Sequence, residues 1–131
     1  MKKTLFAVGL GCIFLILLFI VIFNSLQQDM NSLPKGELVE EVPSPSKQSV
    51  IRMYLVSEGG ATSRHQMRGE VVYENRERKN IYFNYDEERT NVDWINEETV
   101  SINGEKINIE EDVYFWKDDP KWEEKREKKY E

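Results

Sequence analysis

Few residues in this chain have the type and spacing that chemistry uses. "SPSK", Ser44 to Lys47, fits the Ser-x-x-Lys pair of penicillin-recognising enzymes. That motif needs its serine at the start of a buried helix, in a far larger domain, with Ser-Asp-Asn and Lys-Thr-Gly partners. Here β-type sequence follows Pro45 and neither partner exists. Acids cluster at Asp86-Glu87-Glu88, Glu97-Glu98, Glu110-Glu111-Asp112 and Asp118-Asp119. Paired carboxylates can cleave a glycosidic bond if they flank a cleft. None of these groups has the alternating spacing of a calcium loop. They fall in predicted turns, so solvated charge is the expectation. His65 is the only histidine and Cys12 the only cysteine, so neither finds a second soft ligand for zinc. A half-exposed strand or loop histidine is expected at 65. Nucleophile elbows, phosphate-cradling glycine loops and His-Glu-x-x-His are absent. No catalytic, cofactor-binding or metal-ligating set is predicted.

The aromatics are the remaining lead. By strand parity Tyr82 projects away from the apolar face, and Tyr54 and Trp116 can join it. An exposed strip of this kind stacks on sugar rings or anchors a protein partner. The competing reading, which is preferred, has the tail or linker covering the sheet's second face.

These residues need elements to hold them. The chain has 131 residues with 18 Lys and Arg against 24 Asp and Glu, a net charge of −6. The first 23 residues hold only Lys2 and Lys3, so the remainder carries −8. Such a surface repels nucleic acid and anionic lipid. One cysteine excludes an internal disulfide, so the fold rests on packing.

Thr4 to Phe23 is an uncharged run of 20 residues. At about 1.5 Å per residue it matches a hydrocarbon core of roughly 30 Å. An uncleaved anchor is preferred over a cleaved signal, because the run is long and bulky Phe23 stands where a cut wants a small residue. Gly9, three residues before Cys12, lacks the Leu-like character of a lipoprotein site. Lys2 and Lys3 precede the run and acids dominate after it, which predicts a cytoplasmic N-terminus and an extracytoplasmic domain.

Residues 24–47 read as a polar linker with Pro34, Gly36, Pro43 and Pro45. From 48 to 116 the period is two. Ile51, Met53 and Leu55 alternate with polar neighbours, and so do Met67 to Tyr73 and Ile81 to Tyr85. Val92 and Trp94, Val100 and Ile102, and Ile107 and Ile109 complete about six strands. Gly59-Gly60 supplies a turn. The predicted fold is mainly β, an antiparallel meander with one apolar face.

"TVSINGEKINIE", Thr99 to Glu110, fixes its own register. Asn103-Gly104 suits a type I′ turn, with both residues at positive φ. That loop pairs Ile102 with Glu105 and Val100 with Ile107, which puts Val100, Ile102, Ile107 and Ile109 on one face. A three-residue loop, Asn96 to Glu98, then pairs Trp94 with Val100 and Val92 with Ile102, so Trp94 is predicted to be core. Val113 to Trp116 is a final extended segment over the sheet. Residues 117–131 read as a short charged helix, capped by Asp119 with Pro120 in its first position. It holds only if Trp122 docks.

"YLVSEGGATSRHQMRGE", "KNIYFNYDE", "VDWINEETVSINGEKINI" and "DVYFW", in this order, resemble a domain-of-unknown-function family of small single-pass membrane proteins from Bacillus-type Gram-positive bacteria. The resemblance covers roughly Ser44 to Trp116 and departs at His65 and Gln66. It implies an anchored topology and carries no activity over. The sequence thus leads to a membrane-anchored extracytoplasmic binding module of the cell envelope, with a protein or cell-wall partner and no nucleic acid. The alternatives are a small carboxylate-using envelope enzyme, or a secreted module released by signal cleavage.

Overall fold

The computed structural model describes residues 1–26, 29–57 and 63–129. The predicted Gly59-Gly60 turn lies outside them. Helix α1, Lys2–Leu26, is exposed at every described side chain. Its stretch Lys2–Asn24 is long and apolar enough to cross a membrane, a test that a signal sequence also passes.

The fold is mainly β, as predicted, but its strands form two sheets rather than one meander. A five-stranded sheet has the order β1 (Glu37–Pro43), β2 (Val50–Val56), β3 (Gln66–Val72), β4 (Arg78–Tyr85) and β8 (Tyr114–Phe115). β8 runs parallel to β4, and the other pairs are antiparallel. A three-stranded antiparallel sheet holds β5 (Val92–Trp94), β6 (Thr99–Ile102) and β7 (Glu105–Asn108). A 3-10 turn, Trp116–Asp118, leads to helix α2, Trp122–Lys129.

The hairpin has the predicted register. Ile102 faces Glu105 and Val100 faces Ile107, with Asn103 at φ 49° and Gly104 at φ 87°. Val92 pairs with Ile102 and Trp94 with Val100 across the three-residue loop. The apolar face this sorts, Val92, Val100, Ile102, Ile107 and Ile109, packs on Ile51, Met53, Met67, Val71, Ile81 and Tyr82 of the larger sheet. Trp94 packs partly buried against that core and donates its Nε1 to the Val42 carbonyl at 3.1 Å.

Of the predicted linker, residues 24–47, the part from Met30 onward is bonded to the domain. Glu37–Pro43 forms an edge strand on β2, and the register shifts between Leu38 and Glu40, leaving Val39 as an extra residue. That bulge breaks the alternation which would have announced a strand, and an edge position tolerates Pro43 and the acids. Upstream, the Met30 carbonyl accepts from Asn80 Nδ2 at 2.7 Å and the Lys35 carbonyl from Arg68 Nη2 at 2.8 Å. Residues 30–35 therefore reach the larger sheet's outer face, where Arg68 and Glu70 form a buried ion pair at 2.9 Å. "SPSK" becomes the β1–β2 turn. Buried Ser44 accepts from the Ser49 amide, and Ser46 bonds to Glu97.

Gly69 sits where both sheets crowd the backbone of β3. A Cβ there would meet Tyr82 Cβ at 2.9 Å, Met53 Sδ at 3.1 Å and Ile102 Cδ1 at 3.4 Å. Gly69→Ala should therefore cost about 1–3 kcal/mol, the usual penalty of overpacking a core. Urea unfolding measures it, and an unchanged midpoint would contradict this close approach.

Candidate functional site

A second bulge decides what the site contains. Gly69 pairs with Tyr82 but Glu70 pairs with Asn80, so Ile81 is an extra residue in β4. Directly opposed residues share a face. Met53, Gly69 and Tyr82 are mutually opposed, which turns Tyr82 inward. The parity placing of Tyr82 on the second face is thereby corrected, and the exposed strip, the less favoured of the two readings, does not form. Tyr82 is fully buried in the core, because the bulge moves it to the face that parity had denied it. Tyr54 does lie on the outer face but is buried, with the Arg68 guanidinium 3.9 Å above its ring. Trp116 is half-buried, its ring 5.3 Å from Tyr85 and 4.8 Å from Trp122. The structure does not bring Tyr54, Tyr82 and Trp116 together on one free surface.

It brings together a different set. Past β4 the chain runs into Asp86 and Glu87, which are buried (6% and 4% exposed) and not the solvated turn acids predicted. Glu87 Oε1 accepts from Tyr82 Oη and from Asn103 Nδ2, each at 2.5 Å. Its Oε2 accepts from Asn84 Nδ2 at 2.8 Å and faces Lys129 Nζ at 3.3 Å. Asn103, singled out only for its turn geometry, also exchanges bonds with Asn91. Its Oδ1 accepts the Asn91 amide and its own amide reaches the Asn91 carbonyl. The hairpin tip thus closes one wall.

Helix α2 closes the opposite wall. Trp122 is buried and donates Nε1 to Asn84 Oδ1 at 2.8 Å. Arg126 Nε lies 2.7 Å from Asp86 Oδ2, with Arg64 3.6 Å from the other oxygen. Lys125 bridges Glu105 at 2.6 Å and Asp119 at 2.7 Å, and Tyr114 donates to Asp119 at 2.8 Å. The helix starts at Trp122, later than predicted. Asp119 still acts at its start, accepting from the Lys121 amide at 2.9 Å.

Between these walls lies a cavity of about 550 Å³. Tyr85, Tyr114 and Trp122 give it aromatic surface, Asp86, Glu87 and Glu105 line it with carboxylates, and Arg89, Lys125, Arg126 and Lys129 with cations. Burial first, and the Glu87 carboxylate second, push the Tyr82 phenol well above its ordinary range, so it remains a donor. Burial and then Asp119 raise Tyr114 likewise. Glu87 has both oxygens doubly engaged, which leaves no lone pair turned to a substrate proton. The arrangement is suited to recognition by stacking, hydrogen bonds and charge. His65 lies apart, with Nδ1 2.8 Å from Ser57 Oγ and Nε2 3.7 Å from Glu88. Among the described residues no group of three or more His, Cys, Asp or Glu could hold a metal ion.

Asn84, Asp86, Glu87, Trp122, Arg126 and Lys129 were not singled out as site residues from the sequence. One signal was available. Trp122, Arg126 and Lys129 stand four and seven positions apart and share a helix face.

Fold and site together define a small two-sheet β domain with an aromatic-walled polar cavity, preceded by an apolar helix. A family profile described as a family of unknown function, DUF5412, matches residues 2–119, and the chain belongs to that family. The match takes in α1 and every strand and ends at Asp119, so α2 lies beyond it. No curated protein and no solved structure matches the chain.

The Lys125 hydrogen bond holds the Asp119 carboxyl below its ordinary value of 3.8. A depressed carboxyl contributes stability that is fully present above the ordinary value and lost as pH falls below it through the lowered folded-state value. Acidification below about pH 4 should therefore lower the urea midpoint, and Asp119→Asn should flatten that decline. Parallel pH profiles for both proteins would refute the assignment.

Proposed function

We propose that this chain is a single-pass, membrane-anchored binding module of the bacterial cell envelope, with its β domain outside the cytoplasm and the α2-walled cavity as its ligand-contacting site. The observation that carries the binding reading is the cavity's lining. Its carboxylates Asp86, Glu87 and Glu105 each pair with a cation of α2 beside aromatic walls, which favours holding a ligand over moving a proton. Glu87 and Glu105 do face one concave site, as carboxylate chemistry requires. Each is already held, Glu87 by four donors and Glu105 by Lys125, and this weighs against the small envelope enzyme. The anchored, outward topology is supported by α1, by Lys2 and Lys3 ahead of it, and by the acidic remainder. A protein or cell-wall partner fits the site. Nucleic acid is disfavoured by the net negative charge.

Two measurements test this reading. Protease added to intact protoplasts should remove the domain, and full protection would overturn the orientation. A photo-cross-linking residue at Arg89, on the cavity rim, should form an adduct in living cells, while one at Lys106, on the hairpin's polar face, should not. Equal labelling at both positions, or none at Arg89, would remove the cavity as the binding site.

A further inference from the structure

Residues from two parts of the chain meet across the cavity, and their chemistry is complementary. Tyr82, Asn84, Asp86, Glu87 and Asn103 belong to the family match. They present two buried carboxylates and an amide oxygen. Trp122, Arg126 and Lys129 come from α2, beyond the match. They present one aromatic ring with an N–H donor and two cations. Every α2 group finds its counterpart: Trp122 Nε1 on Asn84, Arg126 on Asp86, Lys129 on Glu87.

The attachment of α2 is slight for an element that closes a wall. The helix has eight residues, and Trp122 is its only buried side chain. Helices this short do not persist alone in water, so its order comes from docking. Lys125, Arg126 and Lys129 keep 44%, 32% and 33% of their side-chain surface exposed, so water reaches the cation side of each pair even though Asp86 and Glu87 are buried. Pro120, just ahead of the helix, separates it from the 3-10 turn. The helix also leaves the cavity of about 550 Å³ open beside it.

We propose that α2 is a displaceable occupant of a peptide-binding groove. The groove's partner ligand is a helical segment of another protein that carries an aromatic residue followed by cations four and seven positions later. The buried Asp86 and Glu87 select the cations, Asn84 orients the ring N–H, and the Tyr85 and Trp116 rings pack against the aromatic side chain. This deepens the binding-module reading and rests on it. In the resting protein α2 covers the groove as a ligand in cis, so a partner segment must outcompete it.

The test uses the full chain in detergent micelles and a fluorescent peptide of residues 119–129. In an R126E/K129E variant the helix loses its grip on Asp86 and Glu87. The wild-type peptide should then bind at least about tenfold more tightly than to wild-type protein, because more of the population has an open groove. A peptide carrying the same two reversals should not bind. A folded variant that binds the wild-type peptide no better than wild-type protein overturns the proposal. Hydrogen exchange on the unmodified chain is independent of whether the variant folds. The α2 amides should exchange about a hundredfold faster than those of β3 and β4. If α2 exchanges together with those strands, it is a fixed wall and the proposal fails. Cross-linking at Arg89 can still succeed in that case, which separates this failure from failure of the binding reading.

Discussion

A buried carboxylate sets the terms for this domain. An ionised group removed from water is costly unless charge and hydrogen bonds replace its hydration. Glu87 is 4% exposed, and its replacements arrive from three places: Tyr82 and Asn84 on β4, Asn103 at the hairpin tip, and Lys129 on α2. These groups are 5, 3, 16 and 42 residues away in sequence. The smaller sheet, the larger sheet and the C-terminal helix therefore converge on one side chain. With three of its four donors on β4 and the hairpin tip, Glu87 ties the two sheets together more than their individual contacts imply, and Lys129 completes its pairing when α2 is docked.

The convergence depends on two small backbone events. The extra residue at Ile81 turns Tyr82 toward the second sheet, and the missing side chain at Gly69 leaves room for it. Without the bulge, Tyr82 would face outward and Glu87 would lose one of its two closest donors. The turn at Asn103-Gly104 has a double role. Its positive φ angles fix the hairpin register, and the same conformation places the Asn103 side chain between Glu87 and Asn91. A turn residue chosen for geometry thereby becomes a site residue.

This explains which parts were legible. The hairpin, its register and the Trp94 pairing could be read because they depend on a two-residue turn and local alternation. The apolar run of α1 was legible by length alone. Tyr82 was misplaced because no residue type announces a bulge, and one extra residue reverses parity for everything after it. β1 was missed for the same reason, with Val39 interrupting the pattern amid acids and Pro43. Asp86 and Glu87 read as turn acids because their neighbours are polar. Their burial depends on α2 returning about 40 residues later, and local sequence carries no trace of that return.

The contacts of residues 30–35 also alter what the anchor means. A free linker from 24 to 47 would let the domain range far from the end of α1. Instead, Met30 is already bonded to Asn80, and α1 ends at Leu26. Four residues of chain span at most about 14 Å. Under the anchored topology proposed above, that short connection would keep the larger sheet near the membrane surface. Arg68 is what secures this. Its guanidinium covers Tyr54, pairs with Glu70 and donates to the Lys35 carbonyl, so the buried ion pair on the outer face also pins the chain that leads in from α1. The two faces of the larger sheet thus divide the labour: the inner face builds the cavity with the hairpin, and the outer face fastens the segment that follows α1.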